Sequence, residues 1–114
     1  MNAPLAYNPY AMVIVETSVF TRQVLALLSD DEYRELQVLL TSHPEIGKLI
    51  PGSGGLRKVR WGAAGQGKRG GVRVIYYWHG ARHCVYMVYI YSKNKRDDLT
   101  PSQIRMLRQA IEEE

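Results

Sequence analysis

Apolar positions along this chain recur in two rhythms, one of strands and one of helices. AMVIVET is a short β-branched run and predicts a first strand carrying Val13, Ile14 and Val15. Phe20, Val24, Leu27 and Leu28 then recur at helical spacing within VFTRQVLALL, with Thr17 or Ser18 positioned as the cap. SDDEYRELQVLLTSHP predicts a second helix with almost no linker, so the pair reads as a helical hairpin. Ser29 and Glu32 have the spacing of a capping box, and Asp30 and Asp31 suit the positive end of the helix dipole. Tyr33, Leu36, Leu39 and Leu40 form the apolar stripe, and Pro44 ends the helix by disfavouring helical backbone at His43.

PGSGG interrupts the pattern, after which LRKVRW, GGVRVIYYWHG and RHCVYMVYIYSK predict three strands. GAAGQGKRGG joins the first two as a mobile connector, and GA joins the second pair as a tight hairpin. Thr100 and Gln103 form another capping box around Pro101, opening a final helix with the stripe Ile104, Leu107 and Ile111. Glu112 to Glu114 oppose the dipole at its end, which predicts fraying. Residues 1–10 hold two prolines and no periodicity and predict a loosely ordered tail. The expected fold is one α+β domain over residues 1–114, in the order strand-helix-helix-strand-strand-strand-helix. Two N-terminal helices and one C-terminal helix pack on a small antiparallel sheet.

Composition adds little until charge is located. The length of 114 residues suits a single core, and no apolar run approaches a membrane span. The start lacks the basic and apolar regions of a secretory signal and Cys84 is the only cysteine, so a reducing cytoplasm is the expected location. The net charge of +4 hides an asymmetry. Residues 52–96 hold ten Lys or Arg and no acid, between two acidic flanks. Such a segment favours a polyanion, of which phosphate backbones are the common cytoplasmic example.

Alternation along the strands then sorts the charges. Lys58 and Arg60 share a face opposite Val59 and Trp61, and Arg73 shares one with Ile75, Tyr77 and His79. Lys93 continues the set Val85, Met87, Tyr89 and Tyr91. If Lys58, Arg60, Arg73 and Lys93 lie on one side, they form a cationic pocket with aromatic walls while the helices cover the other side. No Asp or Glu in the segment can act as a base, and His43, His79 and His83 lack companions at metal-ligand spacing, so no metal or cofactor is expected. Crowded cations disfavour one another's charged forms, which suits a lysine to proton transfer while arginines stabilise charge on a phosphate. His79 is a second candidate proton carrier or an exposed turn residue. Lys68 and Arg69 in the glycine-rich connector suit contacts to backbone phosphates, and Cys84 suits the core.

GLRKVRWGAAGQGKRGGVRVIYYW, followed by VYIYSKNKRDDLTPSQIRMLRQ, resembles the RelE/HigB-type toxins of bacterial toxin–antitoxin systems, in particular the HigB-like branch. LSDDEYRELQVLLTSHPEIGKLIPGSGG fits the same branch, so the resemblance runs from about Val13 onward. It implies helices on an antiparallel sheet and a ribosome-dependent, metal-free mRNA endoribonuclease. Such an enzyme cuts the A-site codon by attack of the RNA's own 2′-hydroxyl. It places the family's catalytic basic residues on Lys58, Arg60, Arg73 and Lys93. The family's basic cluster after the last strand extends to Lys95 and Arg96. Together with Arg57, Lys68, Arg69, Tyr77 and His79 from the charge and aromatic pattern, these are the expected RNA or ribosome contacts.

The partners implied are mRNA on the ribosome, the 16S rRNA of the A site and an antitoxin with a helix-turn-helix domain. The chain departs from the best-studied branch, having Thr100 for a tyrosine and Asn94 for an arginine, so that Lys58, Lys93 or His79 must carry the proton. Two other readings share parts of the pattern: a protein-binding gyrase inhibitor of the ParE type, and a non-catalytic RNA-binding module.

Overall fold

The computed structural model describes residues 11–62, 71–93 and 98–112. The expected tail, the glycine-rich connector and the last two glutamates therefore lie outside the described residues. Strand β1 (Val13–Glu16) leads into helices α1 (Ser18–Leu27) and α2 (Asp30–Ser42). Then come β2 (Lys48–Leu49), β3 (Leu56–Trp61), β4 (Val72–His79), β5 (Cys84–Ser92) and α3 (Pro101–Glu112). The five strands form one sheet in the order β1-β5-β4-β3-β2. The α+β class stands, but the sheet is mixed rather than antiparallel and has one strand more than expected. β1 joins β5 in parallel, as it can because the helical hairpin and three strands separate them in sequence. β2 forms an unpredicted two-residue edge, folded back on β3 by PGSGG. In that turn Ser53 Oγ donates to Ile50 O at 2.6 Å and accepts from Leu56 N at 3.0 Å. Gly55, at φ 107°, lies so close to Tyr77 that an added Cβ would stand 2.8 Å from the ring.

The helix signals act as the sequence suggests. Thr17 is the N-cap of α1, Ser29 and Glu32 close both bonds of the capping box on α2, and Thr100 and Gln103 do the same for α3. The hairpin of α1 and α2 covers one face of the sheet. Phe20, Val24, Leu28, Leu36 and Leu40 meet Val72, Val74, Tyr76, Val85 and Met87 there. Complete burial of side chains such as Phe20, Leu36 and Leu40 stabilises the fold by about 1.5–3 kcal/mol each. Tyr76 locks the loop after α2 onto this face: its hydroxyl donates to Pro44 O at 2.7 Å and accepts from Gly47 N at 2.8 Å.

Two expectations about faces are corrected. The helices do not all cover one side, because α3 crosses the opposite face and sets Ile104, Leu107 and Ile111 against Ile75, Tyr86 and Val88. Nor do Val85, Met87, Tyr89 and Tyr91 share a face. Ile75 pairs with Tyr89 and Tyr76 with Met87, which leaves Val88 as the extra residue of a β-bulge. Beyond it the alternation is reset. Val85 and Met87 face the hairpin, whereas Tyr89 and Tyr91 face α3. Thr17, only 3% exposed, closes the bulge: its backbone N–H donates to Met87 O at 3.0 Å and its hydroxyl donates to Val88 O at 2.8 Å. The same hydroxyl accepts from Phe20 N at 3.1 Å. The hairpin after β4 is also longer than GA alone: Gly80–Arg82 form a 3-10 turn, His83 takes φ 51°, and β5 begins at Cys84.

Replacing Thr17 by Val keeps the shape and removes both hydroxyl bonds. Equilibrium urea unfolding should show a loss of about 1–3 kcal/mol, with Thr17→Ser close to wild type. A second outcome concerns alkaline pH. Burial raises the Tyr76 phenol above its ordinary 10.0, and burial together with the Glu16 carboxylate raises Tyr33. The folded state therefore keeps both hydroxyls protonated when the unfolded chain has begun to ionise. Their contribution is complete below about pH 10 and is lost as pH rises through the folded values, so unfolding midpoints should fall in that window. Tyr33→Phe should make that fall shallower.

Candidate functional site

The β3–β4 ladder sets Arg60 directly opposite Arg73, and Lys58 opposite Ile75. On the other side of β4, Arg73 is opposite Tyr91, which the Val88 bulge has turned to this face. Lys58, Arg60 and Arg73 thus stand together on the face that α3 only partly covers, at the end of the sheet where β4 begins. Only 5% of Arg73 is exposed, and its Nη1 is buried without a hydrogen-bond partner among the described residues. No carboxylate lies within ion-pair distance of Arg73 or Arg60 among the described residues. Arg60 is exposed.

Lys58 differs. Its Nζ meets Asp98 Oδ1 at 3.0 Å, across 40 residues of sequence. The acidic flank therefore returns to one cation of the segment, although no acid lies within that segment. Below this pair a cavity of about 40 Å³ is lined by Ile50, Ile75, Tyr91, Leu99 and Ile104. Because Asp98 immediately precedes the Leu99–Thr100 entry to α3, the docking of that helix fixes where the carboxylate stands.

The other sequence candidates separate by position. Lys93 is exposed just past β5, with its N–H 3.4 Å from Gly71 O, at the same end of the sheet as Arg73. Arg57 points away from the cluster, and its Nη1 donates to Glu45 O at 2.9 Å and Gly47 O at 2.7 Å. Tyr77 lies under α3, with the Arg108 guanidinium 4.7 Å from its ring centroid. His79 packs edge-on to Tyr77 at 6.0 Å. Six residues of strand, about 20 Å, separate His79 from Arg73, so it does not join the cluster as a proton carrier. Lys68, Arg69, Lys95 and Arg96 lie outside the described residues. Sequence reasoning missed Asp98 and Lys48, the latter directly opposite Lys58 on β2. KLI before PGSGG and LRK after it held a signal for Lys48, a short hairpin; nothing local signals the reach of Asp98.

Two adjacent guanidinium groups and an ammonium have the charge and the donors that pair with phosphate oxygens. The same feature is a burden on the fold, since a buried charge without a partner destabilises. Arg73→Met should therefore raise the free energy of unfolding by about 1 kcal/mol or more in a denaturant titration, whereas the exposed Arg60→Met should change it by less than about 0.5 kcal/mol.

Comparison with known proteins agrees with this architecture. The free state of a double arginine-to-alanine mutant of the Escherichia coli toxin RelE superposes with a TM-score of 0.58 at 13% identity, over 76% of this chain and 88% of that one. That similarity is one of fold. A family model for the RelE toxin of the RelE/RelB toxin–antitoxin system matches residues 49–113, more than half of the chain, from β2 to the end of α3. With that model spanning more than half of its length, the chain belongs to the RelE toxin family.

Proposed function

We propose that this toxin is a ribosome-dependent mRNA endoribonuclease of the HigB-like branch, acting in the cytoplasm on the codon in the A site. The observation that carries the reading is Arg73, whose buried Nη1 has no hydrogen-bond partner among the described residues, directly opposite Arg60 and two register pairs from Lys58. In the reaction the 2′-hydroxyl oxygen attacks the adjacent phosphorus as the bond from phosphorus to the 5′ oxygen breaks. The products are a 2′,3′-cyclic phosphate and a 5′-hydroxyl. Arg60 and Arg73 hold the non-bridging oxygens as negative charge builds on them. Lys58 and Lys93, at the same end of the sheet, are the candidate groups for taking the 2′-hydroxyl proton and returning one to the 5′ oxygen.

Lys68, Arg69, Lys95 and Arg96 fit secondary contacts to mRNA and 16S rRNA phosphates. An antitoxin, in this reading one with a helix-turn-helix domain, would have to cover the cationic face or block ribosome entry. The clustering of Lys58, Arg60 and Arg73 weighs against a ParE-type gyrase inhibitor.

On ribosomes programmed with a defined mRNA, the wild-type protein should cut at the A-site codon. Arg73→Ala and Lys58→Ala should each reduce the rate by about 10²–10³-fold while remaining folded, the scale seen on removing one charge-stabilising group. Normal cutting by an Arg60→Ala, Arg73→Ala double variant would sink the assignment. Supercoiling assays run in parallel test the gyrase alternative.

A further inference from the structure

On the side of Lys58 away from Arg73, the same face of the sheet continues into a groove of about 500 Å³ at the β2 edge. Its floor is apolar, made by Ile50, Leu99 and Ile104, and its rim carries Lys48, Lys58 and Asp98. The β2–β3 register puts Lys48 directly opposite Lys58, so the two side chains leave the sheet side by side. Like charges directly opposite are destabilising, and Asp98 answers only one of them. Lys48 is exposed and has no ion pair among the described residues. A lysine on an edge strand discourages unwanted pairing, but that purpose does not require it to share a groove with a second lysine.

From Arg73 the cations step across three neighbouring strands: Arg60 on β3, Lys58 two residues along it, and Lys48 one strand further out. Each step is about 5–7 Å, set by strand spacing and rise. Apolar side chains beside a net positive rim match the two parts of a nucleotide, a base whose face buries against aliphatic surface and a phosphate that pairs with a cation. The groove's volume suits one such unit.

We infer that this groove binds the nucleotide flanking the cleaved bond, with its base on Ile50, Leu99 and Ile104 and its phosphate on Lys48. The inference rests on the endoribonuclease reading and deepens it. Lys48 is a positioning residue and takes no part in the bond changes.

The test is cleavage kinetics on programmed ribosomes with varied toxin concentration and salt. Lys48→Ala should raise the half-saturating toxin concentration about three- to tenfold with kcat unchanged, and should make its log–log salt dependence shallower by about 0.7, one single-strand phosphate contact. Lys48→Arg should restore both. An mRNA abasic at the nucleotide next to the cut, tried on either side, should raise the half-saturating concentration for the wild type.

If Arg73→Ala abolishes cutting but Lys48→Ala changes neither parameter, this inference falls and the endoribonuclease reading stands. A Lys48 effect without any abasic effect would assign the contact to ribosomal RNA and overturn the nucleotide groove. Unchanged kinetics with weaker binding of the cognate antitoxin would make the groove a protein surface, which also overturns it. If the wild type cuts nothing, both readings fall together.

Discussion

The hydroxyl of Thr17 is a small group on which the arrangement of both faces depends. It is a cap to α1 and a donor to the carbonyl of the one residue that breaks the β5 ladder. A bulge leaves a backbone group without its ladder partner, and a buried carbonyl in that state is costly. Thr17 supplies the partner from the adjoining strand end, so the break in the ladder and the start of the helical hairpin are held by the same side chain. Everything past Val88 then turns over. Without that reset, Tyr91 would face α1 and α2, and Arg73 would lack its aromatic neighbour.

The cationic face illustrates how binding and folding oppose one another. α3 covers the middle of this face with Leu107 and Ile111, while Arg108 stacks on Tyr77 and donates to Gly54 O at 3.1 Å. At the end of the sheet where Arg60 and Arg73 pair, Arg60 is exposed and Arg73 is buried. The exposed Lys58–Asp98 bridge at the boundary contributes little to stability, since Asp98 is 78% exposed and the pair is screened. Its significance is geometric: it ties the entry of α3 to the edge of the cluster.

Much of this was legible in the sequence because it is local. Both capping boxes, the helix stop before Pro44 and the alternation in β3 and β4 depend on residues within a few positions of each other. Period two puts Lys58 and Arg60 on one face, and the β3–β4 register, which sets Arg73 opposite Arg60, adds Arg73 to it. What escaped depends on distant pairings. The bulge at Val88 has no turn residue to announce it, because its partner is a threonine 71 residues away. β2 is only two residues long, and its strand character comes from β3 rather than from its own composition. Asp98 reaches Lys58 only because α3 folds back over the sheet, which no spacing in the chain discloses. Arg57 is the converse case: in sequence it belongs to the basic run, but alternation sends it to the other face, where two carbonyls hold it.

Arg73 has a consequence in evolutionary terms. Its guanidinium is buried with Nη1 unpartnered among the described residues, and such a charge costs the isolated fold stability. Random substitution at this position by an apolar residue of similar length runs downhill in energy for the free protein. A lineage under no pressure to bind phosphate would lose the charge by drift and gain stability in doing so. An anion bound against Arg73 would offset that cost, so any ligand bringing negative charge to this position would also stabilise the fold.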